Sequence, residues 1–371
     1  MLDSPWPDFA RSATADPGRG DVEPLDVPRR INVRTFDDVA TTVGSAVGSF
    51  ALVWLVYERL FALAGRLGFV LLWYVVFLLL DVIISRFANP GPVVVDRLMS
   101  AIVHGGTVVV GTVVAWAAAF VFVRGWPALH HVNFYTQDMA GVRPTSPLTQ
   151  GGIEHALVGT AIQVGLAVAM ALPLGLGTAI YLAEVGGRFA SVVRTMVEAM
   201  TALPAVLAGL FVYAVLIIGL GWERNGFAVS VAMATTMIPV LARSSEVALR
   251  VVSAGLREAG LALGASRWQT VRRVVLPSAR SGLATSLIVG IARITGETAP
   301  LLIVSGASTF FNSNPFHNPM NSLPLFVFSG VRSGEPSYAT RAYGAAAVLV
   351  VFVLAVFVVT RFLSRKRAGV R

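Results

Sequence analysis

The sequence predicts an all-α integral membrane protein of about eight transmembrane helices. Hydrophobic residues fill 55% of its 371 positions and charged residues 13%, where a soluble globular chain carries about 25%. Mean hydropathy is +0.72. The apolar residues also gather in runs, and roughly 20 in succession suffice to cross a bilayer as a helix.

Residues 1–44 are polar and mixed in charge: Asp3, Asp8, Asp16, Asp21, Glu23 and Asp26 give way to Arg29, Arg30 and Arg34. A secretory signal starts basic and turns apolar within a few residues, so this segment reads as a partly disordered cytoplasmic tail. Residues 45–104 hold two apolar runs, 45–64 and 67–87, with Gly65 and Arg66 between them, which reads as a tight hairpin followed by a loop. Glu58 and Arg59 interrupt the first run. Such charges mark a function, or lie near the interface, or pair with each other or with Asp81. Residues 105–150 give a third span (105–124) and a polar loop, 125–150, with His130, His131, Asp138 and Arg143.

The segment 151–364 holds the rest. Spans are expected at 154–183, 194–219, 226–250, from Pro277 to about 303, and at 342–362. An amphipathic stretch covers 251–276, and a loop rich in Asn, Pro and Ser covers 306–341. A basic tail, 365–371, ends the chain. Basic residues favour the cytoplasmic side, and they concentrate at 29–34, 267–280 and the C-terminus. An even number of spans puts all three there, with both termini cytoplasmic and the loops 125–150 and 306–341 facing outward. The net charge of +9 then reflects membrane orientation and not nucleic-acid binding.

Several chemistries are excluded. The chain has no cysteine, so disulfides, thiol catalysis and thiolate metal sites are absent, and five scattered histidines suggest no metal centre. No cofactor is expected on this chain. The sole lysine, Lys366, sits between Arg365 and Arg367, so the ATP-binding pattern GxxxxGK[ST] cannot occur. Any ATPase must be another chain. No Ser–His–Asp or paired-carboxylate set shares a face, which argues against a membrane enzyme.

Residues 256–277 read LREAGLALGASRWQTVRRVVLP. Two short helices are expected. Gly264 closes the first in the left-handed conformation. Ser266 and Gln269 open the second as a capping box. Trp268, Val271 and Val275 fall on one face, with Arg267 and Arg272 near another. Pro277 suits the first turn of the next helix. Such a pair either docks into a soluble motor or lies on lipid headgroups. The spacing resembles the EAA loop of ABC-importer permeases: Glu258, Ala259 and Gly260, then Gly264, then Val274, then Leu276 and Pro277. Gly260 and Val274 depart from the family's Ala and Ile. The resemblance implies that 254–276 is a cytoplasmic coupling loop. Glu258, Ala259, Gly264, Ser266 and Trp268 are then its candidate contacts with the ATPase. It also implies a six-helix type I permease core, with the N-terminal hairpin as an addition.

Span seven reads ATSLIVGIARITGETAPLLIVSG. Arg293 and Glu297 stand one helical turn apart inside an apolar helix. A lone arginine at that depth costs on the order of 3 kcal/mol, so it calls for a partner or a task. Its planar fork matches the oxygens of a phosphate, and a carboxylate can accept the OH that phosphate carries at neutral pH. The pair is either a gate or a structural salt bridge. Thr295 and Thr298 add hydroxyls, and Gly296 and Pro300 permit a bend. Arg243, with Glu246 nearby, either lines the path's exit or anchors the cytoplasmic end of span six. The string ARITGETAPLL, with IYLAEVG at 180–186 and LFVYAV at 210–215, resembles the PstA-type permeases of phosphate importers. That family implies a sister permease, two ATPase subunits and an extracytoplasmic phosphate-binding protein, with Arg243 and Arg293 on the path. Residues 1–104 have no counterpart in its usual six-helix member. A permease for sulfate or molybdate would share the EAA loop. A secondary transporter would have no use for it.

Overall fold

The computed structural model describes residues 36–61 and 65–365. The chain divides into two compact units at Gly111 and Thr112.

In the first unit, α1 (Phe36–Trp54) runs through a π-helical turn to Leu60, and α2 (Arg66–Ala88) returns against it. The helix starts at Phe36, eight residues before Gly44, the end of the expected tail; residues 1–35 lie outside the described residues. Tyr57 closes the hairpin by donating its hydroxyl to the Gly65 carbonyl at 2.9 Å, and Trp73 Nε1 donates to the Ala46 carbonyl at 3.1 Å. Arg59 lies over the Trp54 ring, 5.5 Å from its centre, and not against Asp81. α3 (Gly91–Leu129) is a single helix of 39 residues, longer than the expected 105–124.

The second unit is built around α8 (Gly226–Arg250), opened by Asn225, whose side chain accepts the Ala228 N–H at 2.8 Å. Its apolar window is 67% buried within the chain, against 33% for the same measure in α5 (Glu154–Ile180) with the π turn that follows it. Around α8 pack α5, α6 (Arg188–Ala202), α7 (Ala205–Val212), α11 (Leu276–Gly296) and α12 (Ala299–Val304). Ala167, Ala171, Ala232, Met233, Met237, Leu241 and Ile294 are buried in the shared core. Many of these are alanines, and small side chains let transmembrane backbones approach closely where no water drives packing.

Among the described residues, seven helices are long and apolar enough to cross a membrane, or eight if one bent pair counts as a span. That pair corrects the expected straight span at 194–219. α6 and α7 meet at about a right angle, 100°, across Leu203 and Pro204. The residue before a proline is driven out of the helical region, and Leu203 indeed takes φ −69°, ψ 128°. The seventh span is also interrupted. α11 ends at Gly296, and α12 starts at Ala299 with Pro300 in its first turn. Pro300 cannot donate to the Gly296 carbonyl, and its ring would clash there.

The amphipathic stretch 251–276 follows its local signals closely. α9 (Ala254–Ala262) ends before Gly264 at φ 83°, and α10 (Arg267–Thr270) carries both bonds of the Ser266–Gln269 capping box. Pro277 sits in the first turn of α11, as expected, and α11 follows the π turn Val271–Val275 without a break, so helix continues from Arg267 to Gly296. One detail differs. Trp268 is 61% exposed while Val271 and Val275 are buried, so the expected common face is split.

The segments 130–150 and 306–322, within the two expected outward-facing loops, are joined. Asp138 accepts the Phe311 N–H at 2.8 Å, and the Met139 N–H donates to the Thr309 carbonyl at 2.9 Å. α4 (Asn133–Thr136) sits in the first of these loops. The expected loop 306–341 also contains α13 (Leu323–Arg332), a short apolar helix, before α14 (Pro336–Arg365) begins. Ten residues are too few to register as a span. Beyond Arg365 the basic tail lies outside the described residues.

Candidate functional site

The elbow between α6 and α7, together with α8 and α11, encloses a cavity of about 400 Å³. Leu203 and Ala205 come from the elbow, Thr235, Thr236 and Val240 from α8, and Arg293 from α11. The walls are mostly apolar, so the Arg293 guanidinium is the one charged group among these lining residues.

Arg293 is held loosely. Its Nε lies 3.4 Å from Glu297 Oε1, at the long edge of hydrogen bonding, and its side chain is 51% exposed. Glu297 is 13% exposed and is met from the other side by Thr236, whose single hydroxyl proton is shared between Glu297 Oε2 at 3.2 Å and the Met233 carbonyl at 2.9 Å. The helix break at Gly296 places this carboxylate between α11 and α8. A cation on a cavity wall, beside a carboxylate anchored elsewhere, can exchange that partner for an incoming anion.

The other expected path residues fall differently. Thr295 is fully buried and donates its hydroxyl to the Ile291 carbonyl at 2.7 Å. Two residues from Arg293, it stands roughly 200° around the helix, on the packed face. Thr298 precedes α12 at the N-cap position, half-buried and with no side-chain bond to the helix. Arg243 does not line the cavity; Val240, one turn earlier on α8, does. Arg243 pairs with Glu198 at 3.2 Å, both about half exposed. Glu246, expected beside it, is buried and takes Arg194 at 3.1 Å and Arg250 at 2.8 Å instead. Positions 243 and 246 are one turn apart, but the burial of α8 turns them toward different neighbours. Thr235 and Thr236 were legible only as two hydroxyls in an apolar helix. The elbow had the signal Leu203–Pro204.

The family model for binding-protein-dependent transport system inner membrane components matches residues 171–369. The phosphate transport system permease protein PstA 1 of Mycobacterium tuberculosis (strain CDC 1551 / Oshkosh) is 38% identical over 256 residues, covering 68% of this chain and 84% of that protein. The chain belongs to the PstA-type permease family. The PstA protein of Mycobacterium leprae is likewise 38% identical, over 258 residues with 68% and 84% coverage. That of Haemophilus influenzae is 32% identical over 255 residues, with 68% and 88% coverage. Among solved structures, a chain of the inward-facing MetNI methionine ABC transporter aligns with a TM-score of 0.45 and 22% identity, over 59% of this chain and 95% of that one. This PstA-type chain is accordingly a multi-pass inner-membrane transport subunit. The stretch 254–276 presents Glu258 and Ala259 at the surface, together with Leu263 at 90% and Trp268 at 61% exposure.

Proposed function

We propose that this chain forms part of the translocation path of an ATP-driven importer of inorganic phosphate, with a sister permease completing the path. The observation that carries the reading is Arg293 on the cavity wall, loosely paired with a Glu297 that Thr236 holds in place. Phosphate competes for the guanidinium with two oxygens, and its OH faces the carboxylate. Two ATPase subunits drive the cycle from the cytoplasm, where both termini lie. An extracytoplasmic binding protein delivers the anion to the joined loops 125–150 and 306–322. ATP binding closes the ATPase pair, the loop 254–276 passes the motion to α8 and α11, and the path opens outward. Hydrolysis resets it inward.

The test is uptake of labelled phosphate and sulfate by vesicles holding the assembled importer, with and without ATP. Phosphate uptake that needs ATP and excludes sulfate is expected. Sulfate uptake would move the chain to another oxyanion, and transport indifferent to ATP would end the importer reading. A second expected result concerns the coupling loop. Gly264→Ala adds a Cβ that meets nothing within 4 Å, so its cost is the left-handed backbone alone, φ 83°. That strain is about 1 kcal/mol, which lowers ATPase affinity about fivefold where the free variant relaxes out of the turn and docking restores it. Titration of the ATPase onto the purified permease pair measures it; unchanged affinity would show that free and docked loops hold the same backbone at residue 264.

A further inference from the structure

We infer that Arg257 is the joint through which motion of the coupling loop enters the membrane helices, a positioning role that rests on the ATP-driven reading above. α9 buries none of its own side chains, so apolar burial does not fasten it to the rest of the unit. Arg257 does. Its Nε donates to both oxygens of Glu184, at 3.1 and 3.2 Å, and its Nη2 donates to Glu184 Oε1 at 2.9 Å. The same guanidinium donates through Nη1 to the Val252 carbonyl and through Nη2 to the Leu249 carbonyl at 2.8 Å. Arg257 and Glu184 are 23% and 12% exposed.

Those partners belong to two different membrane helices. Glu184 lies in the π turn that closes α5, and Leu249 lies in the last turn of α8. The final carbonyls of a helix lack intrahelical donors and form the negative end of its dipole, so a cation there is bound twice over. A planar fork holding a carboxylate and two carbonyls is also directional, which a point charge is not. Beneath it, Ala179, Leu249, Val252, Val275 and Ala279 are packed in one apolar cluster, so the helix ends move together.

From the joint the connection continues to the gate. α5 and α8 make the most extensive helix contact among the described residues. α8 carries Thr236, which holds Glu297. A displacement of α9 is therefore transmitted through Arg257 to the ends of α5 and α8, and through Thr236 to the carboxylate facing Arg293. The exposed side of the same loop, with Leu256 and Leu263, is left for the motor. Spatial continuity alone is not coupling, so the joint must be tested by uncoupling.

The experiment uses the complete importer in lipid vesicles and reads phosphate taken up per ATP hydrolysed. Glu184 borders a cavity of about 500 Å³ that Arg250 and Arg267 also line. A cation therefore remains near it in Arg257→Ala, and the variant is expected to fold. Glu184→Gln, nearly the same shape, serves as the second variant. Both are expected to retain bound ATPase and hydrolysis, with uptake per ATP falling about tenfold. Arg257→Lys, which keeps the charge without the fork, falls in between. Wild-type uptake per ATP in the two charge-removing variants overturns the inference. So does a parallel loss of hydrolysis and uptake in both, which marks a merely structural bond. Absence of ATP-driven uptake in the unmodified complex removes the importer reading, and this inference with it.

Discussion

Replacing Arg293 by glutamine is expected to lower ATP-driven phosphate uptake about a hundredfold, with the amount of protein in the membrane unchanged. Glutamine keeps hydrogen-bonding capacity but not charge. In a cavity whose other named lining residues are Thr and apolar side chains, no second cation replaces it. Losing the cation from a charge-assisted contact that anion binding itself desolvates costs about 2–5 kcal/mol, and about 1.4 kcal/mol is tenfold in rate. The stability of the chain should hardly change. Arg293 is half exposed, its bond to Glu297 is long, and Glu297 keeps Thr236. Arg293→Lys restores charge without the fork and should recover part of the rate. Uptake by vesicles with matched protein content measures all three. Wild-type uptake in Arg293→Gln would leave the pair as a structural salt bridge.

Glu297→Gln separates two roles of the same carboxylate. If Glu297 only restrains Arg293, neutralising it frees the arginine and discrimination between phosphate and sulfate is unaffected. If it accepts the phosphate OH, an amide can also donate, and sulfate becomes a better competitor. The second outcome is expected from the geometry, because Thr236 fixes Oε2 while Oε1 faces the arginine.

What the sequence made legible was local. Ser266 with Gln269 specifies a cap whatever surrounds it, and Gly264 specifies a left-handed turn; both are in place. Arg293 and Glu297 are one turn apart on an apolar helix, so their pairing needed no tertiary knowledge. Thr295 shows the limit. A hydroxyl near a charged pair reads as part of a polar site, but helical rotation carries it to the packed face, where it bonds the Ile291 carbonyl. Arg243 and Glu246 show the same limit, since Glu198 and Arg194 reach them from α6. The α6–α7 elbow was illegible for a different reason. Hydropathy averages over a bend, and a right angle at Pro204 leaves the average of 194–219 unchanged. Arg257 was hidden in plain view beside the EAA-like Glu258, because its meaning depends on Glu184, 73 residues away.

A second large effect is expected at a position with no charge at all. On α5, Gly159, Thr160 and Gln163 grip the segment 320–323. Thr160 Oγ1 accepts the Leu323 N–H at 2.7 Å, and Gln163 Nε2 donates to the Met320 carbonyl at 3.1 Å. A Cβ on Gly159 would stand 2.0 Å from the Asn321 carbonyl oxygen. That neighbour is backbone, and it is tied elsewhere: the Asn321 side chain donates to the Ser308 carbonyl at 2.7 Å, and Ser305 donates to the Met320 carbonyl. The clash can be relieved only by moving the segment off α5, which breaks the bonds of Thr160 and Gln163 together. Gly159→Ala should therefore cost about 3 kcal/mol, at the upper end for overpacking by one methyl group. In a unit of this size that corresponds to a fall in melting temperature of about 5–10 °C, read by thermal unfolding in detergent. Gly177→Ala on the same helix is the control: nothing lies within 4 Å of its Cβ, and alanine is favoured over glycine in a helix by about 1 kcal/mol. A Gly159→Ala chain melting with the wild type would refute the close approach of α5 to the segment 320–323. The two substitutions are distinguishable by kind. Arg293→Gln should leave a normally stable protein that does not transport. Gly159→Ala should leave less folded protein, whose surviving fraction still responds to ATP, because the damage lies where α5 meets the segment 320–323 and not beside Arg293.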